Sequence, residues 1–378
     1  MFSDLKRNLA IINRNIKGWT THRKIVVIES DDWGSIRMPS KKVYQKCLKA
    51  GYPVHLNPYE KYDSLASKED LELLFDLLLS IKDSVGNHPV ITANCAVANP
   101  NFKKIKEDRF QNYHYELITE TFKNYKKHSS NLNLWKMGNE NRIFFHQFHV
   151  REHLNVSKFM NALKTNDADV HFGFENRMPG NIRKSNKRNG NLFVEATHYN
   201  TQKDKLNILI TYLEGLDIFE KLFGYKSASI IPANYTWSQD FDHPVAEKEV
   251  KIIQGIRKMR EPIPGHEPKY YYRYLGKRNQ YDQISLVRNV TFEPALLDKT
   301  NITGRCLKEI SIAFKMKKPA IISSHRLNYI GFIDEKNRDR NLKMLNHLLR
   351  NIIMRWPEVE FMNSVELGTI IASDDRNS

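Results

Sequence analysis

Cysteine is scarce in this sequence, and its cysteines form no recognisable motif. The 378 residues include three of them, Cys47, Cys95 and Cys306, and no two have the CxxC spacing. This pattern excludes a disulfide framework and a zinc site built from cysteines. Isolated cysteines of this kind are typical of proteins in a reducing compartment.

Long apolar segments are missing as well. No run of residues reaches the length that a transmembrane helix needs. Residues 1–19 lack the continuous apolar stretch of a secretory signal peptide. Together with the cysteine pattern, these absences predict a soluble cytoplasmic protein.

Acidic residues are outnumbered by basic ones. The sequence has 59 Lys and Arg against 43 Asp and Glu, which gives a formal net charge of +16. A strong positive field attracts anionic partners such as nucleic acid, anionic lipid, and acidic or nucleotide-linked glycans. No zinc finger or RNP aromatic motif occurs, so we expect no specific nucleic-acid partner.

Strand-like and helix-like segments alternate along the chain. Hydrophobic residues make up 40% of it, enough for a sizeable core. The strand patterns are at residues 25–28, 90–94, 143–149, 169–174, 229–231, 284–292, 320–325 and 359–362. Helical patterns, among them residues 244–260, separate most of them, and this alternation predicts parallel βα units in a barrel. We expect one domain over residues 23–372 and a polar tail at 373–378.

The N-terminal segment, residues 1–22, has the pattern of an amphipathic helix. Its apolar residues recur at spacings of four and three within residues 4–19: Leu5, Leu9, Ile12, Ile16 and Trp19. Basic residues occupy other positions of the same turns. We expect this helix to pack on its own domain. The alternative is peripheral contact with an anionic membrane.

Two adjacent carboxylates, Asp31 and Asp32, follow the first buried-strand pattern, residues 25–28. Carboxylates this close raise each other's pKa unless a cation or hydrogen bonds hold them. Parallel α/β folds carry their chemistry at the carboxyl ends of strands. We therefore interpret the pair as a metal or acid–base site rather than a surface turn.

Histidines follow two other strand patterns. His149 and His153 are four residues apart after one strand, and His325 ends another. On a helical turn, two histidines at this spacing share a face and can bind one metal ion through imidazole nitrogen. The carboxylate of Asp32 would complete a set of three ligands and leave positions open for water and substrate.

Residues 149–153 also fit a different metal enzyme. They match H-x-x-E-H, the inverted zincin signature, in which Glu152 would be the general base of a zinc protease. This interpretation needs both histidines in one long helix. It also leaves the aspartate pair and His325 without a role, so we rank it second.

The motifs together resemble the polysaccharide deacetylase family with the NodB homology domain, also known as carbohydrate esterase family 4. Asp31-Asp32-Trp33-Gly34 resembles its first motif, TFDDG, and His149-x-x-x-His153 its second, H-x-x-x-H. Ser323-Ser324-His325 resembles its late histidine motif. The resemblance extends over about residues 25–370 and implies a distorted (β/α) barrel, commonly of seven strands. The long interval between the first two motifs implies an insertion within residues 40–140.

The resemblance also implies roles for the site residues. Asp31 would be the general base, Asp32 the metal carboxylate, His149 and His153 the imidazole ligands, and His325 the general acid. The cofactor would be one divalent ion, which we expect to be zinc. The substrate would be an acetylated sugar or glycan, including anionic, nucleotide-linked or lipid-linked forms. The reaction would be hydrolysis of the acetyl group.

One departure concerns the family's third motif, Arg-x-Pro-Tyr. Ile230 stands where the family has arginine, so Arg151, Arg288 or Arg326 would have to replace it in orienting the base. The missing arginine leaves a second alternative open, a non-catalytic carbohydrate-binding relative of the same fold. The expected substrate-binding residues are Trp33, Arg151, Asn234, Tyr235, Trp237 and Arg326. Neither the sugar nor the oligomeric state follows from the sequence.

Overall fold

A computed structural model describes residues 2–125, 127–179, 182–184, 193–297 and 301–374, with side chains from residue 9 onward. The strands β1 to β13 are, in chain order, Lys24–Trp33, Ile91–Ala96, Ala98–Pro100, Tyr115–Leu117, Phe144–Val150, Ser229–Ile230, Ile252–Gly255, Lys258–Ile263, His266–Tyr272, Ile284–Val287, Val290–Thr291, Ala320–His325 and Val359–Phe361. The helices α1 to α14 are Phe2–Asn15, Lys41–Lys49, Pro58–Tyr62, Lys68–Leu79, Phe102–Glu107, Ile118–Asn124, Asn131–Glu140, Val156–Lys164, Ala168–Glu175, Gln202–Phe223, Asp242–Glu247, Ile302–Lys315, Glu335–Arg355 and Ser364–Asp374. Within these residues, no helix has the length and apolar character needed to span a bilayer.

Nine strands of the described part form one parallel sheet. The order is β10-β7-β6-β5-β2-β1-β12-β11, and β13 pairs with the first residues of β1. The sheet is curled into a half-barrel, so the predicted (β/α) barrel class is confirmed. The family resemblance implied seven strands, and the described sheet has nine.

Strand β1 lies at the centre of the sheet and alternates between two apolar environments. Val26 and Ile28 pack in a cluster that includes residues of α4, α12 and α13. Ile25 and Val27 pack in another cluster, with residues of β10 and α14. Because side chains alternate along a strand, the row of Ile25 and Val27 continues to Asp31. The same face of β1 therefore changes from apolar to acidic at its carboxyl end.

Residues 40–140, where an insertion was implied, are not one inserted unit. They contribute β2 to the centre of the sheet, between β1 and β5. The same stretch supplies parts outside the sheet, namely helices α2 and α3 and the antiparallel pair β3–β4. Helix α3 follows its capping residue Asn57 and carries Tyr59 and Glu60 to the cavity described below.

Two sequence predictions about secondary structure are wrong. Residues 169–174, predicted as a strand, lie in helix α9, because the side chain of Asp167 caps that helix by accepting backbone N–H bonds. Residues 244–260, predicted as one helix, contain the end of α11 followed by β7 and the start of β8. Glu249 has a left-handed φ of 66°, which helical backbone cannot continue through.

Helix α1 is present but packs through a different face from the one predicted. It ends at Asn15, and both Ile11 and Asn15 are buried. Leu9, Ile12 and Ile16 of the predicted packing face are exposed. The expectation that this apolar stripe covers the domain is therefore wrong for these three side chains.

Candidate active site

The carboxyl end of β1 carries the two aspartates on a strained backbone. Asp32 has a φ of 73°, in the left-handed region, which costs a residue with a side chain about 1–3 kcal/mol. Between Ser30 and Trp33 the strand has one more residue than its neighbour β2. A bulge of this kind redirects side chains, so that Asp31 and Asp32 contact different partners.

Asp32 lies beside both predicted imidazole ligands. Its Oδ1 is 3.2 Å from His153 Nε2 and 3.6 Å from His149 Nε2. The three ligand atoms all lie within 4.8 Å of one another. A tetrahedral zinc ion with ligand bonds of about 2.0–2.2 Å separates its ligand atoms by roughly 3.3–3.6 Å. The spacing of these side chains therefore suits one divalent ion.

His149 is held in the tautomer that a metal ligand needs. Its Nδ1 lies 2.7 Å from the carbonyl oxygen of Ile231. A carbonyl oxygen only accepts hydrogen bonds, so Nδ1 carries the hydrogen, and in the neutral ring Nε2 is a bare lone pair facing Asp32. Two electron-rich groups that face each other in a buried site are stabilised by a cation between them. The residues present therefore fit a metal ion.

The protonation states around Asp32 agree with this fit. Burial lowers the pKa of His153 to about 3, so its ring is neutral. Burial acts to raise the pKa of Asp32, but opposing charges, of which the Arg37 guanidinium is the strongest, hold that pKa well below its usual value. Arg37 Nη2 donates to Asp32 Oδ2 at 3.1 Å. One oxygen of Asp32 thus faces the imidazoles and the other faces a guanidinium.

The histidine pair does not lie on a helix, as its spacing had suggested. His149 belongs to β5, and His153 follows in a bend. Strand β5 has one more residue than β2 at this point, and the two ring centres are 5.0 Å apart. Both carboxylate oxygens of Glu152 accept hydrogen bonds from Arg151. The zincin interpretation, which needs both histidines in one long helix, is therefore wrong.

Arg288, directly after β10, is the arginine that contacts Asp31. Its Nη2 and Nη1 donate to Oδ1 and Oδ2 of Asp31 at 2.6 and 2.7 Å, and its Nε donates to Glu29 at 2.7 Å. Burial acts to raise the pKa of Asp31, but Arg288 outweighs it, and the pKa falls to about 2. Asn94 also donates to Oδ1, at 2.8 Å. Since each carboxylate oxygen accepts about two hydrogen bonds, Oδ2 keeps a free lone pair.

His325 stands next to Asp31 and has a carboxylate of its own. The two residues are register partners on β1 and β12, and His325 Nε2 lies 3.8 Å from Asp31 Oδ2. Its Nδ1 lies 2.6 Å from Glu293, and Asn328 donates to the other oxygen of Glu293 at 2.7 Å. Burial acts to lower the pKa of His325, but Glu293 outweighs it and raises that pKa to about 9. The ring is therefore an imidazolium at neutral pH.

These side chains open onto one cavity of about 270 Å³. The polar residues that line it include Asp31, Asp32, His149, His153 and His325. Its apolar side consists of Ile36, Met38, Met178, Pro179, Ile182 and Val194. Two of the predicted substrate-binding residues, Asn234 and Tyr235, lie on its wall. The structure thus brings all five predicted metal and catalytic residues to one cavity.

Two further cavity residues were not singled out from the sequence. The guanidinium of Arg37 lies 5.0 Å from the centre of the Tyr59 ring, and its Nε is 3.1 Å from Asp63. Tyr59 in turn meets the ring of His325 edge to face, at 5.6 Å between centres. Tyr59 therefore lies between Arg37, which contacts Asp32, and the ring of His325.

The two tryptophans that were predicted to bind substrate are core residues instead. Trp33 and Trp237 are fully buried in hydrophobic clusters. The indole N–H of Trp33 donates to Ser30 at 3.0 Å, and that of Trp237 donates to Asp242 at 2.8 Å. Neither ring has a free face for a sugar, because the core already covers both.

The two arginines that were predicted to bind substrate also lie outside the cavity lining. Arg326 is fully buried and donates to Asp63 and to the backbone of Ser35. Arg151 is paired with Glu152 and Glu214. Neither side chain lines the cavity, since internal carboxylates hold both guanidinium groups.

The sequence pattern did not single out Glu293, because it predicted one strand where the structure has two. Residues 284–292 were predicted as one strand, whereas the structure has two short strands, β10 and β11, in this stretch. Arg288 follows the first and Glu293 the second. The polar pair Arg288-Asn289 inside an otherwise apolar run was the signal that could have revealed two strand ends.

Comparison with known proteins shows similarity of fold. No protein-family model matches this sequence, and neither does any curated protein sequence. A proposed glycoside hydrolase/deacetylase from Parabacteroides distasonis aligns with a TM-score of 0.51 and 9% identity, over 96% of this chain and 74% of that one. At this identity, the similarity describes the fold alone.

Two further solved structures align less well. A proposed polysaccharide deacetylase from Mycobacterium smegmatis has a TM-score of 0.46 and 7% identity, over 95% of this chain and 94% of that one. The 4-alpha-glucanotransferase of Thermococcus litoralis has a TM-score of 0.46 and 9% identity, over 91% of this chain. This chain spans only 40% of the length of that transferase.

Proposed function

We propose that this chain is a metal-dependent hydrolase that removes acetyl groups from a sugar or glycan. One observation carries the proposal: two separate histidine–carboxylate groups line one cavity. Asp32 with His149 and His153 suits a metal ion, and Asp31 with His325 suits proton transfer. The family resemblance of the same residues supports this assignment.

Asp32 Oδ1 and the Nε2 atoms of His149 and His153 would hold the ion. We propose zinc, because two imidazoles and one carboxylate are a recurring donor set of catalytic zinc sites. A bound divalent ion supplies two kinds of chemistry, a lowered pKa of water and polarisation of the acyl carbonyl. The three protein ligands leave room for both.

Asp31 accepts the proton of the attacking water in this proposal. Its Oδ2 has a lone pair left, and the two bonds from Arg288 fix the plane of the carboxylate. A pKa of about 2 keeps Asp31 ionised throughout the physiological range and also makes it a weak base. We therefore place its contribution near the lower end of the ~10²–10⁴-fold that general bases provide.

His325 protonates the departing amine or alkoxide. Glu293 holds one N–H of the imidazolium and thereby turns Nε2 towards Asp31 and the cavity. A pKa of about 9 means that the acid form is present at neutral pH without any change on substrate binding. The base and the acid are thus poised in the two protonation states that amide or ester hydrolysis needs.

The cavity walls indicate how a substrate would lie. Asn234 and Tyr235 are proposed to contact the sugar, and both have a left-handed φ of 52°, strain of the kind that accumulates at functional sites. The aliphatic wall, with Met178 and Ile182, is proposed to cover the acetyl methyl group and the C–H face of the ring. Arg288 contacts Asp31 as the family's arginine is expected to contact the base, and this contact supports a catalytic protein over a non-catalytic relative.

Acetate release tests the proposal. The wild-type protein would be stripped with a chelator, reloaded with zinc, and incubated with N-acetylated chitooligosaccharides, O-acetylated xylan and nucleotide-linked N-acetylglucosamine. We expect acetate from at least one class, only after reloading. Tight binding of a glycan without acetate would show a binding protein instead, and cleavage of peptides by the same preparation would show a protease.

A further inference from the structure

The exposed side of helix α1 has an unusual composition. Leu9 is 56% exposed, Ile12 38% and Ile16 59%. Leu9 and Ile12 are three residues apart on the helix, and Ile16, directly after its last residue, follows four residues later, so that the three form one aliphatic stripe. Arg14 and Lys17 are exposed beside this stripe.

The helix cannot bury this stripe by turning, because its opposite side is fixed. Ile11 is buried, and Asn15 Oδ1 accepts a hydrogen bond of 2.7 Å from Asn289. Asn289 lies between β10 and β11, the two edge strands of the half-barrel, and also bonds the backbone of β12 through Ile321. The outward direction of the aliphatic stripe is therefore set by the fold.

The β8–β9 hairpin presents a second exposed face next to this helix. Lys258 is the register partner of Tyr272, and its ammonium group lies 3.9 Å from the centre of the Tyr270 ring. Tyr270 and Tyr272 are both about half exposed, whereas Met259 and Tyr271, on the other face, pack in the core. The outer face of the hairpin thus combines tyrosine rings with a basic group.

Direct contacts join the helix to the hairpin. Arg257, the residue before β8, donates to Asn13 of α1 at 2.6 Å. The ring of Tyr274, just after β9, has Lys17 on it at 6.0 Å and Lys277 at 5.3 Å. The helix and the hairpin are therefore neighbours, and their exposed residues are called here the α1–hairpin surface: Leu9, Ile12, Ile16, Arg14, Lys17, Lys258, Tyr270 and Tyr272.

The exposed charges of this region are mostly basic. Among described residues 9–19 and 257–277, five basic side chains are exposed: Arg14, Lys17, Lys258, Lys269 and Lys277. In the same two ranges, one acidic side chain, Glu267, is exposed. The chain as a whole carries a formal charge of +16, so the region reinforces a positive field instead of opposing it.

We propose that the α1–hairpin surface is a peripheral docking site for an anionic lipid bilayer. Aliphatic side chains on a helix insert at the level of the headgroups, tyrosine rings favour the same depth, and lysine and arginine pair with anionic lipid. A second copy of this chain fits less well. A two-fold contact through this face would bring its basic groups against each other.

Vesicle co-sedimentation of the full chain tests the proposal. One set of vesicles is phosphatidylglycerol mixed with an equal amount of phosphatidylcholine, and the other is phosphatidylcholine alone. We expect the wild type to bind the anionic set and to be released by salt. Replacing one exposed basic residue, as in Lys17→Glu, should weaken binding by about tenfold or more.

A matched pair of variants isolates the aliphatic stripe. The triple variant Leu9→Gln, Ile12→Gln, Ile16→Gln replaces the aliphatic side chains with glutamine, which is a good helix former. This variant should weaken vesicle binding by about 100-fold or more. The control is the double variant Leu206→Gln, Ile210→Gln. These two residues form an aliphatic pair four residues apart on α10, and they are 57% and 56% exposed. We expect it to bind like the wild type.

Three outcomes would overturn the proposal: a wild type that ignores anionic vesicles, a control that loses binding as much as the α1 variant, or an α1 variant whose only change is a dimer turning into a monomer. The last result would show an interface between copies. None of these outcomes depends on the chemistry in the cavity, because the vesicle assay does not measure hydrolysis.

Discussion

Two histidines that line one cavity stand beside carboxylates, and their pKa values are shifted in opposite directions. Burial lowers the pKa of His153 to about 3 although Asp32 is 3.2 Å away. Burial acts in the same direction on His325, yet its pKa is raised to about 9. The difference lies in the carboxylates. One oxygen of Asp32 contacts the guanidinium of Arg37, and the other faces two imidazoles. By contrast, one oxygen of Glu293 contacts His325 at 2.6 Å.

In the proposed mechanism, this contrast lets one kind of residue perform two tasks a few ångströms apart. A histidine whose carboxylate is already balanced by a guanidinium stays neutral and is free to bind a cation. A histidine with a carboxylate of its own keeps a proton that it can give away. The following changes should break or sharpen this contrast, in order of decreasing effect.

Removing the neutral imidazole of His153 should have the largest effect on zinc binding and turnover. We expect His153→Ala to lower zinc affinity by at least about 100-fold and to abolish acetate release, because one of three protein ligands is lost. Metal content after dialysis and acetate release measure the two losses. A His153→Ala protein that keeps its full zinc content would contradict the ligand assignment.

Removing the charge of the base should separate turnover from metal binding. We expect Asp31→Asn to lower kcat by about 10²-fold or more while most of the zinc remains, because Asp31 is held by Arg288 and is not part of the Asp32, His149 and His153 group. The comparison is with His153→Ala under the same loading conditions. Equal zinc loss in the two variants would mean that Asp31 is itself a ligand.

Removing the imidazolium tests the protonated side. His325→Ala should lower kcat on an amide by about 10²–10⁴-fold and leave zinc content unchanged. The loss should shrink on an acetyl ester with a good leaving group, which needs little protonation. Full activity of His325→Ala on an amide would falsify the assignment of the acid.

Neutralising the partner of His325 should shift a pH profile. Glu293→Gln takes away the charge that raises the pKa of His325, so that pKa should fall from about 9 towards or below ~6.5. The acid form is then lost at lower pH, and at pH 8 the rate should fall by roughly 30-fold. The measurement is kcat against pH, and an alkaline limb that does not move would remove Glu293 from the mechanism.

The smallest effect on catalysis is expected outside the cavity. Arg151→Gln breaks a buried ion pair with Glu152, which should cost about 3–5 kcal/mol of unfolding free energy and lower Tm. The kcat of the folded protein should stay close to that of the wild type, and Glu152→Gln should behave in the same way. Loss of turnover in Glu152→Gln without loss of zinc would revive the protease interpretation.

The sequence predicted the parts of the fold that depend on pattern. Apolar runs and their order gave the barrel class, and motif order at strand ends pointed to Asp31, Asp32, His149, His153 and His325, which all line the cavity. Local patterns could not reveal partners distant in the chain. Glu293 is 32 residues from His325, and Arg288 is 257 from Asp31.

Side-chain direction was the other limit of the sequence. Trp33 and Trp237 adjoin functional motifs, and proximity in the chain made them candidates for sugar binding, but each ring points into a hydrophobic cluster. The spacing of His149 and His153 suggested a helix, whereas a bulge in β5 and a bend bring the rings together. Bulges depend on the pairing of strands, which the sequence of one strand does not specify.

The most direct test of the central claim is a titration of metal-free protein with zinc, in which bound zinc and acetate release are measured on the same samples. We predict that acetate release from an acetylated glycan rises in proportion to bound zinc and stops rising at one ion per chain. The His149→Ala, His153→Ala double variant should bind no ion at this affinity. Acetate release by the metal-free wild type, or one equivalent of zinc held equally tightly by the double variant, would contradict the account.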